Sequence, residues 1–325
     1  MAEATNAPVE RDDYSGAFDP DFRYEDLSKP ALVRLVREFA QIVHMLDRSM
    51  CAAIGMKYGA EAVRELLATQ FGITHLKAII GFSMGAQQAF QWAVSYPGFA
   101  DRFVATSGTA RTWPHGQVRL EGQIAALTAD PAFQDGAYRE PPVRGLSAFG
   151  MVWGDWLYSQ EWWRRELWRS PARPGATFDQ AVERFRSNFI PGADANDLIL
   201  QMRTWEHHDV AGTPGSNGDL ATALGRISAP FLYMPSESDL YFPITDARAE
   251  AVLMRTVRFV PIHSWWGHTA GAASNPNDAQ FLNATIGAFL KGDDTPADDR
   301  EAAIAAAQAV LTAISTHDVA LARQI

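Results

Sequence analysis

The spacing of hydrophobic and polar positions changes several times along the chain, and each change predicts a new element. Residues 1–27 are polar and show no periodicity, which is typical of a loose arm. Apolar residues recur at helical spacing after Ser28, a candidate N-cap, and a second helical stretch covers about residues 60–70 and ends at Gly72. Residues 76–80 form a short apolar run of the kind found in a buried parallel strand.

The rest of the chain predicts an α/β pattern with a long helical interruption. A helix at about 86–95 and a strand at 102–107 follow the first strand, which makes a strand–turn–helix–strand unit. Residues 112–225 predict helices and loops rich in tryptophan. The later elements are strands at 231–234 and 257–260, helices at 246–254, 278–290 and 300–315, and an acidic linker at 292–299.

Composition excludes several classes of protein. The chain has 325 residues, 47% of them hydrophobic, so a wholly disordered chain is excluded. Its net charge of −10 makes it a poor binder of nucleic acid. Cys51 is the single cysteine and fits a reducing compartment. The polar, acidic start does not resemble a secretory signal, and no apolar run approaches the roughly 20 residues of a membrane span. We therefore expect a soluble, cytoplasmic protein with no membrane or nucleic-acid partner.

The strongest chemical signal is a serine between two glycines at the end of the first strand, Gly81-Phe82-Ser83-Met84-Gly85. A serine hydroxyl attacks a carbonyl only if it is exposed, close to a base and near donors for the developing oxyanion. A sharp strand-to-helix turn supplies the exposure, two flanking glycines avoid Cβ clashes, and the Met84 amide is the candidate oxyanion donor. The alternative is an ordinary glycine-rich turn with a solvated serine.

A nucleophilic serine needs a histidine base and an acid that orients it. His268, in the glycine-rich loop after the last strand, fits the order Ser, Asp, His, and His263 is its rival. Asp239 follows the strand at 231–234 and would hold the imidazole tautomer, with Glu237 as the alternative acid. A solvated acidic loop is the third interpretation of this segment.

Two further clusters have competing interpretations. His207-His208-Asp209 resembles a metal cluster, but adjacent histidines rarely converge on one ion, so we predict no metal site. Five of the ten tryptophans lie between Trp153 and Trp168, where they would wall a substrate tunnel, form the core of a lid or make a dimer contact. His44 and His317 are expected to be structural or solvated.

The serine turn and several other motifs together carry a family resemblance. They are Gly81–Ala93 with Tyr96-Pro97, Ala129-Asp130-Pro131, Gly136-Ala137-Tyr138, Gly145-Leu146, Arg203-Thr204-Trp205 with Asp209, Ser238–Pro243 and Gly267-His268. Over roughly 225 residues the chain resembles the α/β-hydrolase superfamily and, within it, the homoserine O-acetyltransferase-like branch. The resemblance implies Ser83 as nucleophile, Asp239 as acid and His268 as base, in a ping-pong acyl transfer from acyl-CoA to an alcohol. It implies no cofactor.

The resemblance also implies the domain organisation and a departure from the family. Residues 1–62 form a divergent arm and helix, 63–111 and 226–291 an α/β-hydrolase core, 112–225 a helical lid, and 292–325 a linker and C-terminal helix. In the family, several strands precede the serine, and a loop after the third strand supplies a second oxyanion amide. Here residues 1–60 predict no strand, so we expect an N-terminally shortened parallel sheet of about four strands, and the second donor stays unassigned.

Three functions are therefore open. The first is serine-dependent acyl transfer of the homoserine O-acetyltransferase type, with a small-molecule acyl donor, an alcohol acceptor and a homodimer as the candidate assembly. The second is carboxylic ester hydrolysis on the same fold and residues. The third is a catalytically impaired relative that acts as a binding or assembly module.

Overall fold

The computed structural model describes residues 72–169 and 175–292, together with Ser28 and positions 61, 64, 65 and 67–69. The chain divides into two units, Met1–Thr74 and His75–Ile325. In the first unit, the described positions between 61 and 69 are helical, and Gly72 has a left-handed φ of +66°, as expected for a glycine that ends a helix. The predicted arm, the helix after Ser28, most of the acidic linker and the C-terminal helix lie outside the described residues.

The second unit contains a parallel sheet. The described residues contribute four strands to it: β1 (Ile79–Phe82), β2 (Phe103–Thr106), β3 (Phe231–Met234) and β4 (Val257–Phe259). They lie in the order β1-β2-β3-β4, and Ile79, Phe103, Phe231 and Val257 stand side by side across it. The pairing confirms an α/β fold with a four-stranded parallel sheet.

The first strand lies later in the chain than its apolar run predicts. Leu76 forms only an isolated bridge with Ala100, and regular pairing begins at Ile79 and continues to Phe82. The expectation of a buried strand is wrong at Ile80, which is 52% exposed, and the strand bounds follow the hydrogen bonds to β2. The strand therefore ends directly at Ser83.

The described residues of the second unit form nine α-helices, which follow the strands or connect them. They are α1 (Met84–Ser95), α2 (Pro114–Thr128), α3 (Val143–Leu157), α4 (Gln160–Arg164), α5 (Phe178–Ser187), α6 (Ala195–Glu206), α7 (Leu220–Leu224), α8 (Ile244–Ala251) and α9 (Pro276–Leu290). Helix α1 connects β1 to β2, α2 to α7 lie between β2 and β3, α8 connects β3 to β4, and α9 follows β4. The helical insertion predicted between the second and third strands is thus present. None of the described helices combines the length and the apolar content needed to span a membrane.

The apolar side chains form separate clusters on either side of the sheet and in the insertion. One sheet cluster includes Phe90, Phe103 and Phe231, and the other includes Val104 and Phe289. A third cluster joins α2, α3 and α6 to Tyr241 and Phe242, which follow β3. A fourth cluster is formed by Trp162, Trp168 and Ala181, with Tyr158, Trp163, Leu167, Ala176 and Trp266 packed against it. Most of the predicted tryptophan cluster is therefore part of the insertion's own core.

Candidate active site

Ser83 occupies a strained turn between β1 and α1. Its φ of 59° and ψ of −124° lie where non-glycine residues are rare, at a cost of about 1–3 kcal/mol. Three backbone hydrogen bonds hold it there: its N–H donates to the Thr106 carbonyl (3.0 Å), and its carbonyl accepts from the N–H groups of Ala86 (2.9 Å) and Gln87 (3.2 Å). The turn places the serine at the carboxyl end of the strand and at the start of a helix.

The glycines around this turn have different roles. A Cβ on Gly81 would lie 1.9 Å from the Gly85 carbonyl oxygen, so only glycine fits at position 81. The prediction that Gly85 also relieves a Cβ clash is wrong, because a Cβ there would meet no atom within 4 Å. A third glycine, missed from the sequence, is needed instead: a Cβ on Gly108, beyond β2, would lie 2.6 Å from the Ser83 carbonyl oxygen.

The structure brings Ser83, His268 and Asp239 together in one chain of hydrogen bonds. His268 Nε2 lies 2.8 Å from Ser83 Oγ, and His268 Nδ1 lies 2.9 Å from Asp239 Oδ2. The other carboxylate oxygen, Oδ1, accepts from the backbone N–H groups of Tyr241 (2.8 Å) and Phe242 (3.1 Å). A carboxylate at Nδ1 assigns the ring proton to that nitrogen, which leaves Nε2 free to accept the serine proton.

Aromatic rings enclose His268, which is only 2% exposed. The ring centroids of Phe82, Tyr241 and Phe242 lie 4.8, 4.9 and 5.6 Å from that of the imidazole. Such a shell excludes water from the imidazole and restricts its rotation. These contacts follow from the tertiary structure, because Phe82 lies more than 150 positions before the segment that contains the other three residues.

Two serines connect the histidine loop to its surroundings. Ser238 Oγ donates to the Ser264 carbonyl (2.6 Å) and accepts from the Gly267 N–H (3.1 Å), which ties the acid loop to the histidine loop next to both side chains. Ser159 Oγ donates to the Trp265 carbonyl (2.5 Å) and so links the helical insertion to the same loop. Sequence reasoning named Ser238 only as part of the motif Ser238–Pro243 and gave neither serine a role, since a hydroxyl in a loop carries no distinguishing pattern.

The rival acid and base lie on the surface and pair with each other. His263 Nδ1 lies 2.8 Å from Glu237 Oε2, and the His263 side chain is 75% exposed. His263 is therefore solvated and does not pack at the end of β4. Since Asp239 already contacts the imidazole of His268, this geometry favours Asp239 and His268 over the two rivals.

Met84, the predicted oxyanion donor, is the first residue of α1. The first N–H groups of a helix have no acceptor within the helix, and the helix dipole favours negative charge at this end. Its position directly after Ser83 is therefore compatible with the predicted role. The second donor stays unassigned.

The side chains of His207, His208 and Asp209 have separate environments. His207 Nδ1 lies 2.7 Å from the Arg203 carbonyl oxygen, and an Asp209 carboxylate oxygen lies 2.9 Å from Arg111. Burial lowers the pKa of His208 to about 4. Within residues 72–169 and 175–292 and the few described before them, no group of three or more His, Cys, Asp or Glu side chains could hold a metal ion.

A buried carboxylate outside the site organises the loop after β2. Glu250 on α8 accepts hydrogen bonds from the Ala110 N–H (2.8 Å), Trp113 Nε1 (2.9 Å) and the Tyr233 hydroxyl (3.0 Å). Burial raises its pKa to about 7, although these donors act in the opposite direction. No pattern around Glu250 in the amino-acid sequence predicts this role.

Comparison with known proteins yields curated relatives and solved structures, while no family model matches. The chain is 37% identical to the ethyl acetate hydrolase of Pseudomonas veronii over 224 residues, which cover 68% of this chain and 62% of that protein. It is 29% identical to the homoserine O-acetyltransferase of Zymomonas mobilis, covering 73% and 68% of the two chains. The crystal structure of the acetyl esterase MekB superposes with a TM-score of 0.67 at 33% identity, covering 71% of this chain and 67% of that one. The chain thus spans less than two thirds of the length of the ethyl acetate hydrolase.

Proposed function

The chain belongs to the α/β-hydrolase superfamily and to its homoserine O-acetyltransferase-like branch, and from this premise we propose that it is an enzyme that cleaves short-chain carboxylic esters through an acyl-Ser83 intermediate. The observation that carries the proposal is the continuous hydrogen-bonded chain from Ser83 through His268 to Asp239 at a strained strand-to-helix turn. The ethyl acetate hydrolase and the acetyl esterase, at 37% and 33% identity, support an ester as the acyl donor.

The geometry supports a two-step reaction. Ser83 Oγ attacks the ester carbonyl carbon while His268 Nε2 takes the hydroxyl proton, and Asp239 stabilises the imidazolium. The oxyanion forms beside the start of α1, where the Met84 N–H is available. When the carbonyl re-forms, the alcohol leaves with the proton from His268. Water then attacks the acyl-enzyme with His268 again as base, which releases the acid and restores the serine.

Acyl transfer to an alcohol is the second candidate, because the homoserine O-acetyltransferase relative covers 73% of this chain. Transfer uses the same three residues and differs only in the acceptor, an alcohol in place of water. In this candidate, a small-molecule acyl donor such as acyl-CoA and an alcohol are the partners. The higher identity of the esterases puts hydrolysis first, whereas motif resemblance alone puts transfer first. The homodimer remains a prediction.

Hydrolysis of p-nitrophenyl acetate by the full chain tests the proposal. We expect Ser83→Ala to lower kcat by about 10⁴-fold or more. Ser95→Ala, at the far end of the same helix, is the matched control and should retain activity, since Ser95 Oγ accepts a hydrogen bond from Gln91 on its own helix and lies outside the hydrogen-bonded chain of the site. Equal turnover by the parent chain and Ser83→Ala would refute the assignment of Ser83 as the nucleophile.

Three measurements separate the remaining alternatives. A fluorophosphonate probe should label Ser83 in the folded chain, and failure to label would favour the binding-module interpretation over an enzyme. Adding L-homoserine to the ester assay then distinguishes the two acceptors. O-acetylhomoserine in place of acetate would make transfer the main activity, and intact-protein mass after incubation with acetyl-CoA would show whether that thioester acylates Ser83.

A further inference from the structure

An arginine is buried in the helical insertion close to the hydrogen-bonded chain. Arg119 on α2 is 4% exposed, and its Cζ lies 4.3 Å from the ring centroid of Trp205 and 4.2 Å from that of Tyr241. Nη1 lies 3.4 Å from the Gln123 side-chain oxygen. Among the described residues, Nε and Nη2 have no hydrogen-bond partner. Arg119 is therefore a buried cation with no direct ion pair in the described part of the chain.

Stability alone gives little reason to keep a charge at this position. Burial lowers the pKa of Arg119 to about 10, so the guanidinium stays charged at neutral pH. Contacts with two aromatic ring faces offset part of the free energy that is needed to remove the charge from water. The missing ion pair and the two missing hydrogen bonds cost more free energy than these contacts contribute. An apolar side chain of the same length would fill the space without that cost.

Tyr241 connects Arg119 to the site. The guanidinium lies over the Tyr241 ring, and the same ring packs edge-on against the His268 imidazole at 4.9 Å. The Tyr241 backbone N–H donates to Asp239 Oδ1, and its hydroxyl donates to the Trp153 carbonyl (2.6 Å). The carboxylate of Asp239 also attracts the guanidinium through space. A shift of this one ring would thus disturb both the acid and the base.

We propose that Arg119 is a positioning residue of the Ser83–His268–Asp239 site, which clamps Tyr241 in place and supplies a buried positive charge that opposes protonation of Asp239 and His268. The charge acts in this direction because an added proton on either group would make the cluster more positive next to a fixed cation in a poorly polarisable environment. The inference depends on the proposed function for its kinetic part only.

Other ionisable groups surround this cluster and remain unchanged in the test. They are Tyr241 itself, Asp155 on α3, Tyr233 on β3, and Asp246 and Glu250 on α8. Asp155 and Asp239 are the carboxylates that act on Tyr241, and Arg119 opposes their effect on its hydroxyl. Because every substitution below is at position 119, a change in pH dependence reports the guanidinium.

The test compares Arg119→Met, which removes the charge, with Arg119→Lys, which keeps it but loses the flat contact with the ring. We expect the acidic limb of kcat/KM for p-nitrophenyl acetate to move to higher pH by about one unit in Arg119→Met. It should stay near the parent position in Arg119→Lys. On the pH plateau, both variants should have a kcat about tenfold lower than the parent chain, with KM little changed. The thermal midpoint of Arg119→Met should be equal to or above that of the parent chain.

A second readout needs no turnover. The imidazole carbon-13 signal of His268, assigned from its loss in His268→Asn, should titrate at higher pH in Arg119→Met than in the parent chain. If the parent chain shows no Ser83-dependent turnover but this titration moves, the proposed function fails and the role of Arg119 stands.

Three results would overturn the inference. The first is an unchanged acidic limb and an unchanged titration in Arg119→Met. The second is an Arg119→Met chain that melts well below the parent, which would make the guanidinium a structural element only. The third is a rise in KM confined to mono-p-nitrophenyl succinate with no change for the acetate ester, which would assign Arg119 to binding of a substrate carboxylate.

Discussion

Replacing Asp239 by asparagine changes one atom and reverses the proton arrangement of the imidazole. The two backbone N–H groups of Tyr241 and Phe242 donate to Oδ1, so the asparagine must keep its carbonyl oxygen there. Its NH₂ group then faces His268 Nδ1, which has to accept rather than donate. The ring proton moves to Nε2, where it points at Ser83 Oγ, and the histidine can no longer take the serine proton.

The expected loss follows from this exchange of donor and acceptor. With the wrong tautomer imposed, we expect kcat to fall by about 10⁴-fold, which corresponds to about 5.4 kcal/mol in the activation barrier. Stability should change much less, because shape and hydrogen-bond count are kept and only the charge assistance of two bonds is lost, about 1–2 kcal/mol.

The assay is the kcat for p-nitrophenyl acetate between pH 6 and 9, together with the circular dichroism spectrum and the thermal midpoint. Glu237→Gln is the matched control, since it also neutralises a carboxylate in this loop but one that pairs only with exposed His263. It should keep parent activity. An Asp239→Asn chain within about tenfold of the parent kcat would refute the tautomer argument, and an inactive Glu237→Gln chain would reassign the acid.

Three further predictions concern stability and loop positioning. Gly81→Ala should lower the free energy of unfolding, measured in urea, by more than about 3 kcal/mol. Gly85→Ala should leave it unchanged or raise it by up to about 1 kcal/mol. Equal effects of the two substitutions would contradict the inference that a Cβ clashes at position 81 and not at position 85. Ser238→Ala should lower kcat about tenfold with KM unchanged, because the two loops lose their link, and a parent-like kcat would contradict this role. Burial raises the pKa of Glu250 to about 7, above its ordinary 4.5. Its favourable contribution to the free energy of unfolding is therefore present below pH 4.5 and is lost as the pH rises through 7. The free energy of unfolding should fall by about 3 kcal/mol over that pH range. Glu250→Gln should remove this part of the pH dependence, and an equal pH dependence in the parent chain and the variant would contradict the raised pKa of Glu250.

The strands and helices of the second unit were largely predictable from hydrophobic spacing. The strand at Phe231–Met234 has the predicted bounds, and the helix that begins at Met84 starts two residues earlier than predicted. The first strand was placed three residues too early, because Leu76 begins the apolar run that ends at Ile80 but makes only an isolated bridge with Ala100. Apolar spacing reports burial, and pairing register depends on a partner strand that the local sequence does not contain.

Chain order and motif spacing selected Ser83, Asp239 and His268, since each follows a strand of one parallel sheet and the carboxyl ends of such strands share one edge. The structure added what local sequence cannot encode. Gly108 matters because the end of β2 approaches the serine carbonyl, and Ser238 matters because two loops meet beside the imidazole. His263 and Glu237 were separated from the site only by distance and exposure.

The sequence by itself determined the α/β class, the helical insertion and the nucleophile turn, because periodicity, glycine and chain order act within short segments. Only the tertiary structure decided which acid meets the base, how aromatic rings enclose the imidazole, and that Arg119 lies one ring away from it. These contacts join residues that are far apart along the chain, and their energies depend on burial and distance. Burial and distance exist only once the segments have packed.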